Sequence, residues 1–388
     1  MASIRPQTRA MIDRLVGFDT VSAKSNLALI DFAQDYLESQ GARCRRTLNG
    51  EGTKANLFAT LGPEAPGGVV LSGHSDVVPV EGQAWDSDPF RVVERDGRLY
   101  GRGTADMKSF LAIALALVPE FQAQPLRRPV HIAFSYDEEV GCTGVGCMVR
   151  DIAANLPLPD MVIVGEPTDM KIVNGHKGCY LFETRVTGQA AHSSQPHHGG
   201  NAIFAAGRLI AFLAETAAER RAAAPDGSAF DPPYTTFNLG QVEGGKAINI
   251  VAQDCRFTWE FRPLPGEDTE VIVAAFEAHA RDKVLPALRE FAPSASIETQ
   301  SLATVPPLAP ETEGAAESLV RRLSGVNDTG VVSFATEGGI FQAAGLSTVV
   351  FGPGSIDQAH KPNEFITLAQ VAACEAFLMK LRDWATEG

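Results

Sequence analysis

The chain has 388 residues, 45% of them hydrophobic and 21% charged. These values exclude a disordered chain, a collagen-like chain and a small disulfide scaffold. A net charge of −14 argues against a nucleic-acid or anionic-membrane surface, which needs a basic patch.

The length exceeds what one core fills, so two domains are expected. Apolar residues at three- and four-residue steps predict helices over 8–19 and 26–40, and Gly41 stops the second. Strands follow at 56–61 and 68–73, the latter a continuous apolar run suited to burial on both faces. A helix is expected over 107–118, then buried-type strands at 130–135 and 161–165. Strands alternating with helices argue for an α/β layer with helices on both sides of a sheet. After Cys179 the character changes. Residues 180–188, 235–239 and 254–262 alternate polar and apolar, with helices expected over 200–221 and 269–288. That β-α-β-β-α order suits a small α+β sandwich with one exposed sheet face. Buried-type residues return at 348–351. The fold class is therefore α/β. A discontinuous domain with a mostly parallel sheet flanked by helices spans 1–179 and 296–388, and an inserted ferredoxin-like α+β domain spans 180–295.

No apolar run approaches the roughly 18 residues of a membrane span. The opening MASIRPQTRAMIDRLVGFDT lacks the charged-then-apolar order of a secretory leader. Six scattered cysteines without a C-x-x-C pair read as free thiols in a reducing compartment, so a cytoplasmic location is expected.

Five segments carry a His or carboxylate just after a buried strand or within a Gly-rich turn. They hold His74 and Asp76, Asp106, Glu138 and Glu139, Glu166, and His360. In open α/β sheets the ligand crevice lies beyond the carboxyl ends of the strands, where such loops converge. Two histidines and three carboxylates form an N/O ligand set suited to zinc, cobalt or manganese. Three anionic ligands offset most of the charge of two divalent ions, which favours two metals over one. Each residue alone has a plainer reading. Either histidine could be a hydrogen-bonding turn residue, Asp106 a helix N-cap, Glu138–Glu139 a solvated acidic pair, and Glu166 a turn residue. The irregular gaps between them match no compact ligand motif.

The segments Gly73-His74-Ser75-Asp76-Val77-Val78-Pro79, Gly101-Arg102-Gly103-Thr104-Ala105-Asp106-Met107-Lys108, Asp137-Glu138-Glu139, Gly165-Glu166-Pro167-Thr168 and Ala359-His360-Lys361-Pro362 resemble the zinc-dependent aminoacylase/carboxypeptidase family. The resemblance runs nearly end to end. Segments around His192, Gly199-Gly200-Asn201, Arg262-Pro263-Leu264 and Thr336-Glu337-Gly338 are most similar to its acetylornithine deacetylase branch, and less so to the desuccinylases.

The resemblance implies roles residue by residue. Asp106 would bridge two zinc ions, for which cobalt can substitute. His74 and Glu166 would complete one site, Glu139 and His360 the other. Asp76 would accept the second ring N–H of His74 and fix its tautomer. The peptide after Asp106 would be cis. Glu138 would be the general base, and His192 the oxyanion-stabilising histidine, supplied by the partner subunit of a homodimer formed through the inserted lid domain. Arg262, Asn249, Lys177 and Gly338 fall at substrate-contacting positions. The Glu337 carboxylate is expected to pair with the δ-ammonium of ornithine. The implied activity is hydrolysis of N2-acetyl-L-ornithine to L-ornithine and acetate, in arginine biosynthesis. The rivals are a desuccinylase, a broader N-acyl-amino-acid deacylase, and, from another class, a metal-free binding relative. The implied partner is a small N-acyl amino acid, with no nucleic acid and no membrane.

Overall fold

Apolar runs too short for helices become the buried strands of a central sheet. In the computed structural model, which describes residues 3–387, eight strands make this sheet. Residues 1, 2 and 388 of the expected first domain lie outside that range. In chain order the strands are Arg43–Leu48 (β1), Ala55–Leu61 (β2), Val69–His74 (β3), Val130–Ser135 (β6), Met161–Val164 (β7), Ile172–His176 (β8), Thr329–Val332 (β13) and Ser347–Val350 (β14). The small strands Val93–Arg95 (β4), Arg98–Tyr100 (β5) and Phe365–Thr367 (β15) form a separate three-stranded sheet. The order across the large sheet is β1-β2-β6-β3-β7-β14-β8-β13. The pairings β6–β3, β3–β7 and β7–β14 are parallel, and antiparallel pairs flank them. Every residue of β3, β6 and β7 is buried, as expected where helices cover both faces. The helix Lys108–Ala116 is also buried at every position. Its side chains share one core with Leu15, Leu29, Phe121, Leu378 and Trp384.

The topology fixes where the chemistry goes. The four parallel strands end at His74, Ser135, Val164 and Val350. The loops that follow carry Asp76, Glu138–Glu139, Glu166 and His360, so they gather at the carboxyl edge of the sheet.

The chain divides into two compact units. One comprises Met1–Gly175, Leu308–Val331 and Thr336–Gly388; the other comprises His176–Pro307 and Val332–Ala335. The second unit holds an antiparallel sheet of Cys179–Thr187 (β9), Thr236–Gly244 (β10), Asp254–Arg262 (β11) and Ser296–Val305 (β12), in the order β10-β11-β9-β12. With the helices Ala202–Ala222 and Thr269–His279 it is a β-α-β-β-α-β unit. Alternation along β11 buries Cys255, Phe257, Trp259 and Phe261 against Leu209, Ile272 and Phe276 of the helices.

Two features differ from the expectation. The strand β12, at 296–305, belongs to the second sheet, whereas the sequence alone assigns 296 onward to the first domain. Its segment SIETQSLATV is mostly polar and carries no boundary signal. The helix expected over 269–288 changes pitch to a wider turn over Ala280–Val284 before Leu285–Arg289, where Pro286 offers no N–H to the helical ladder. Among the described residues no helix is long and apolar enough to cross a membrane.

Candidate active site

Short β–α connections aim the ligand-type side chains. His74 is the last residue of β3, and Asp106 lies two residues before the helix Lys108–Ala116. The Asp106–Met107 peptide is cis, as the resemblance implied. Gly165 lets the end of β7 meet that helix closely, because a Cβ there would fall 2.1 Å from the Phe110 ring. Glu166 follows directly.

These loops bring His74, Asp106, Glu138, Glu139, Glu166 and His360 together. The two oxygens of Asp106 face different imidazoles. His74 Nε2 lies 3.0 Å from Oδ1, and His360 Nε2 lies 3.4 Å from Oδ2. His360 Nε2 is also 2.9 Å from Glu139 Oε2, and His74 Nε2 is 3.9 Å from Glu166 Oε1. The ligand atoms of His74, Asp106 and Glu139 lie within 4.8 Å of one another, as do those of His74, Glu138 and Glu166. His74, Asp106 and Glu166 are buried, whereas the His360 side chain is 56% exposed.

The electrostatics follow from burying more carboxylates than imidazoles. Burial pushes Glu138 and Glu166 well above the usual carboxylate range, with His74 opposing the shift and neighbouring carboxylates adding to it. Burial also disfavours charge on Asp106, but hydrogen bonds to His360 and His74 hold it below that range. Burial opposes charge on His74 too, yet Asp106, Glu166 and Glu138 hold its pKa well above the ordinary value. Hydrogen bonds to Asp106 and Glu139 push His360 up to about 10. Glu166 Oε1 is buried without a hydrogen-bond partner, a costly state for a carboxylate oxygen. An excess of buried negative charge, an orphaned carboxylate oxygen and an N/O donor set all fit divalent cations.

Asp76 acts differently from the expectation. His74 Nδ1 lies 2.9 Å from the main-chain carbonyl of Asp76, while the Asp76 carboxylate is 3.7 Å away. That carbonyl can only accept, so it fixes the tautomer with Nδ1 protonated and Nε2 turned to Asp106. The Asp76 carboxylate instead accepts the Ser22 hydroxyl at 2.7 Å and the N–H groups of Glu138 and Glu139 at 3.1 and 3.3 Å. It thereby holds the main chain that presents both glutamates. A side chain two residues from His74 signalled this contact, but sequence could not decide which atom of Asp76 makes it.

Glu337 is buried beside the cluster, with the Ser135 hydroxyl near its carboxylate but no donor at close hydrogen-bond geometry. Burial pushes its carboxyl up to about 7, with the Ser135 hydroxyl and His74 opposing. Gly338 is buried, and its N–H is spent on the Thr336 hydroxyl. Sequence reasoning overlooked Cys142, whose thiol donates to Glu138 Oε1 at 3.4 Å. It also overlooked Glu364, which accepts the Asp106 N–H at 3.1 Å.

The remaining expected residues belong to the second unit. His192 is exposed, and its Nδ1 accepts the Ser194 N–H at 3.1 Å. Its Nε2 therefore carries the ring proton. Asn249 is exposed, and its carbonyl accepts the Ser193 N–H. Lys177 is buried, with Nζ donating to the Tyr234 carbonyl at 2.7 Å. Arg262, at the end of β11, donates from Nε to Glu260 Oε1 at 3.1 Å.

Residues 70–382 match the model of peptidase family M20/M25/M40. An acetylornithine deacetylase of Myxococcus xanthus is 37% identical over 98% of both chains. One of Proteus mirabilis is 35% identical over 90% of this chain and 88% of its own. In fold, an M20 metallo-carboxypeptidase of Sulfolobus solfataricus matches with a TM-score of 0.74, at 18% identity over 98% of this chain and 99% of its own. On matches of that extent, the chain belongs to peptidase family M20/M25/M40.

Proposed function

We propose that this protein is a two-metal amidohydrolase that deacetylates N2-acetyl-L-ornithine to L-ornithine and acetate. The observation that carries the reading is Asp106, whose two oxygens face His74 and His360 separately, as a carboxylate shared by two ions requires. Asp106 would hold both ions, His74 and Glu166 one, Glu139 and His360 the other. The names of the relatives support the substrate. Zinc, with cobalt as a substitute, suits the N/O donors. When bound, the ions polarise the amide carbonyl and lower the pKa of the attacking water.

The chain's own residues do the rest. Glu138, raised in pKa by burial, takes a proton from the attacking water and passes one to the departing amine. Asp76 holds the main chain of Glu138 and Glu139 in place. His192, protonated at Nε2, donates to the oxyanion of the tetrahedral intermediate. It acts from the partner subunit of a homodimer built on the second unit, a lid and dimerisation domain whose edge strands β10 and β12 bear many exposed residues. Arg262 exchanges Glu260 for the substrate α-carboxylate through its planar fork, with Asn249, Lys177 and Gly338 completing the contacts. Glu337 pairs with the δ-ammonium, which satisfies its buried oxygens. The chain works in the cytoplasm.

Removal of metal by a chelator, followed by titration with zinc, tests the reading. It predicts two ions bound per chain and acetate release from N2-acetyl-L-ornithine that returns with them. Acetate release that survives complete metal removal would contradict it.

A further inference from the structure

One buried carboxylate lies outside the ligand set and yet contacts it. Glu364 is 1% exposed and accepts four hydrogen bonds. Its Oε2 takes Arg102 Nη1 at 2.7 Å and the Gly103 N–H at 3.0 Å. Its Oε1 takes the N–H groups of Ala105 at 2.7 Å and Asp106 at 3.1 Å. A buried carboxylate is costly unless both oxygens are satisfied. Here the donors that satisfy it are the loop that carries Asp106.

The same group reaches the other side of the centre. Arg102, also 1% exposed, donates from Nη2 to Gln83 Oε1 at 2.6 Å. Gln83 then donates from Nε2 to the main-chain carbonyl of His360 at 3.0 Å. Trp85 donates to the same Gln83 oxygen at 3.1 Å, and its ring lies under the Arg102 guanidinium, which fixes the Gln83 amide. His360 has φ +63°, a conformation that a β-carbon disfavours, so its main chain needs such support. One end of this relay is the amide of Asp106 and the other is the carbonyl of His360. The relay thus joins the main chains of the two residues whose Oδ2 and Nε2 lie 3.4 Å apart.

We propose that Glu364 is a positioning residue for the metal centre. It fixes Asp106 directly and His360 through Arg102 and Gln83. The proposal rests on the reading of Asp106 and His360 as ligands. Partners that orient metal ligands are worth about 10- to 100-fold in metal affinity, and a purely structural clamp would leave that affinity unchanged.

The test is Glu364→Gln in the full chain. It keeps the side-chain shape but turns an amide donor toward groups that are all donors. Cobalt(II) is titrated into the metal-free protein against a chromophoric chelator, the visible cobalt spectrum is recorded, and thermal unfolding of the metal-free form reports the fold. The expected result is a folded variant whose second cobalt ion binds about 10- to 100-fold more weakly than in the wild type, with an altered spectrum. Wild-type affinities and spectrum, with or without a lower melting temperature, would overturn the proposal. If Glu364→Gln does not fold, Gln83→Met decides. It cuts the link to the His360 carbonyl, together with the acceptor for Arg102 Nη2 and Trp85, leaves the four bonds to Glu364 in place, and must weaken the second ion by about 10-fold. An unchanged second ion there overturns the relay. Binding of fewer than two ions by the wild type itself would instead overturn the two-metal reading, and the positioning role with it.

Discussion

Buried carboxylates destabilise one another unless a cation lies among them, and this shapes what each acidic residue in the centre can be. Glu139 is 2.9 Å from His360 Nε2, and both lie against Asp106. Glu138 has no imidazole at that range and instead accepts the Cys142 thiol. It also falls within the grouping of His74 and Glu166, so base and ligand roles compete for it. Glu138→Gln separates them. A general base predicts a kcat lower by about 10²- to 10⁴-fold with two zinc ions still bound per chain, measured by acetate release and metal content on one sample. Loss of an ion together with activity would make Glu138 a ligand. The six residues that meet here stand out in the sequence because each follows a buried strand or a Gly-rich turn, but only the family resemblance implies their roles. Glu364 was not, because its meaning lies in contacts with residues 258 to 262 positions away. Nor was the atom of Asp76 that meets His74, since a carbonyl and a carboxylate of one residue look alike in sequence.

The central strands were readable because burial on both faces leaves a largely apolar run, as in β3, β6 and β7. The polar strand β12 was not, since pairing with β9 along one edge asks little of its side chains. One apparent exception in a core strand has a measurable consequence. His131 on β6 is buried, stacked on Phe58 with centroids 4.9 Å apart, and its Nδ1 meets the Thr60 hydroxyl at 2.9 Å. Burial pushes its pKa down to about 4. The imidazole is therefore neutral in the folded chain and gains a proton on unfolding below its ordinary value near 6.5. The unfolded state then binds more protons, so stability falls as the pH drops from about 6.5 toward 4, by up to about 3 kcal/mol. Acids with raised pKa values, such as Glu337 at about 7, act in the opposite direction, so the comparison must be between variants. Urea unfolding between pH 6.5 and 5 is expected to show a smaller loss of stability for His131→Leu than for the wild type. Equal losses would contradict a neutral buried His131.

For the whole molecule, composition and charge set the class, and the break from buried to alternating strands near Cys179 revealed a second unit. Its outer limits depended on long-range pairing. The unit begins at His176, ends at Pro307 and includes Val332–Ala335. The family pattern extends over both units, since residues 70–382 match it. Substrate choice, in contrast, rests on the names of the relatives. The most direct measurement is therefore kcat/KM for N2-acetyl-L-ornithine against N-acetyl-L-methionine and N-succinyl-L,L-diaminopimelate, using metal-free protein and protein refilled with zinc or cobalt. Activity is expected only after refilling, with acetylornithine the preferred substrate. Metal-restored hydrolysis that favours either of the other amides would contradict that preference.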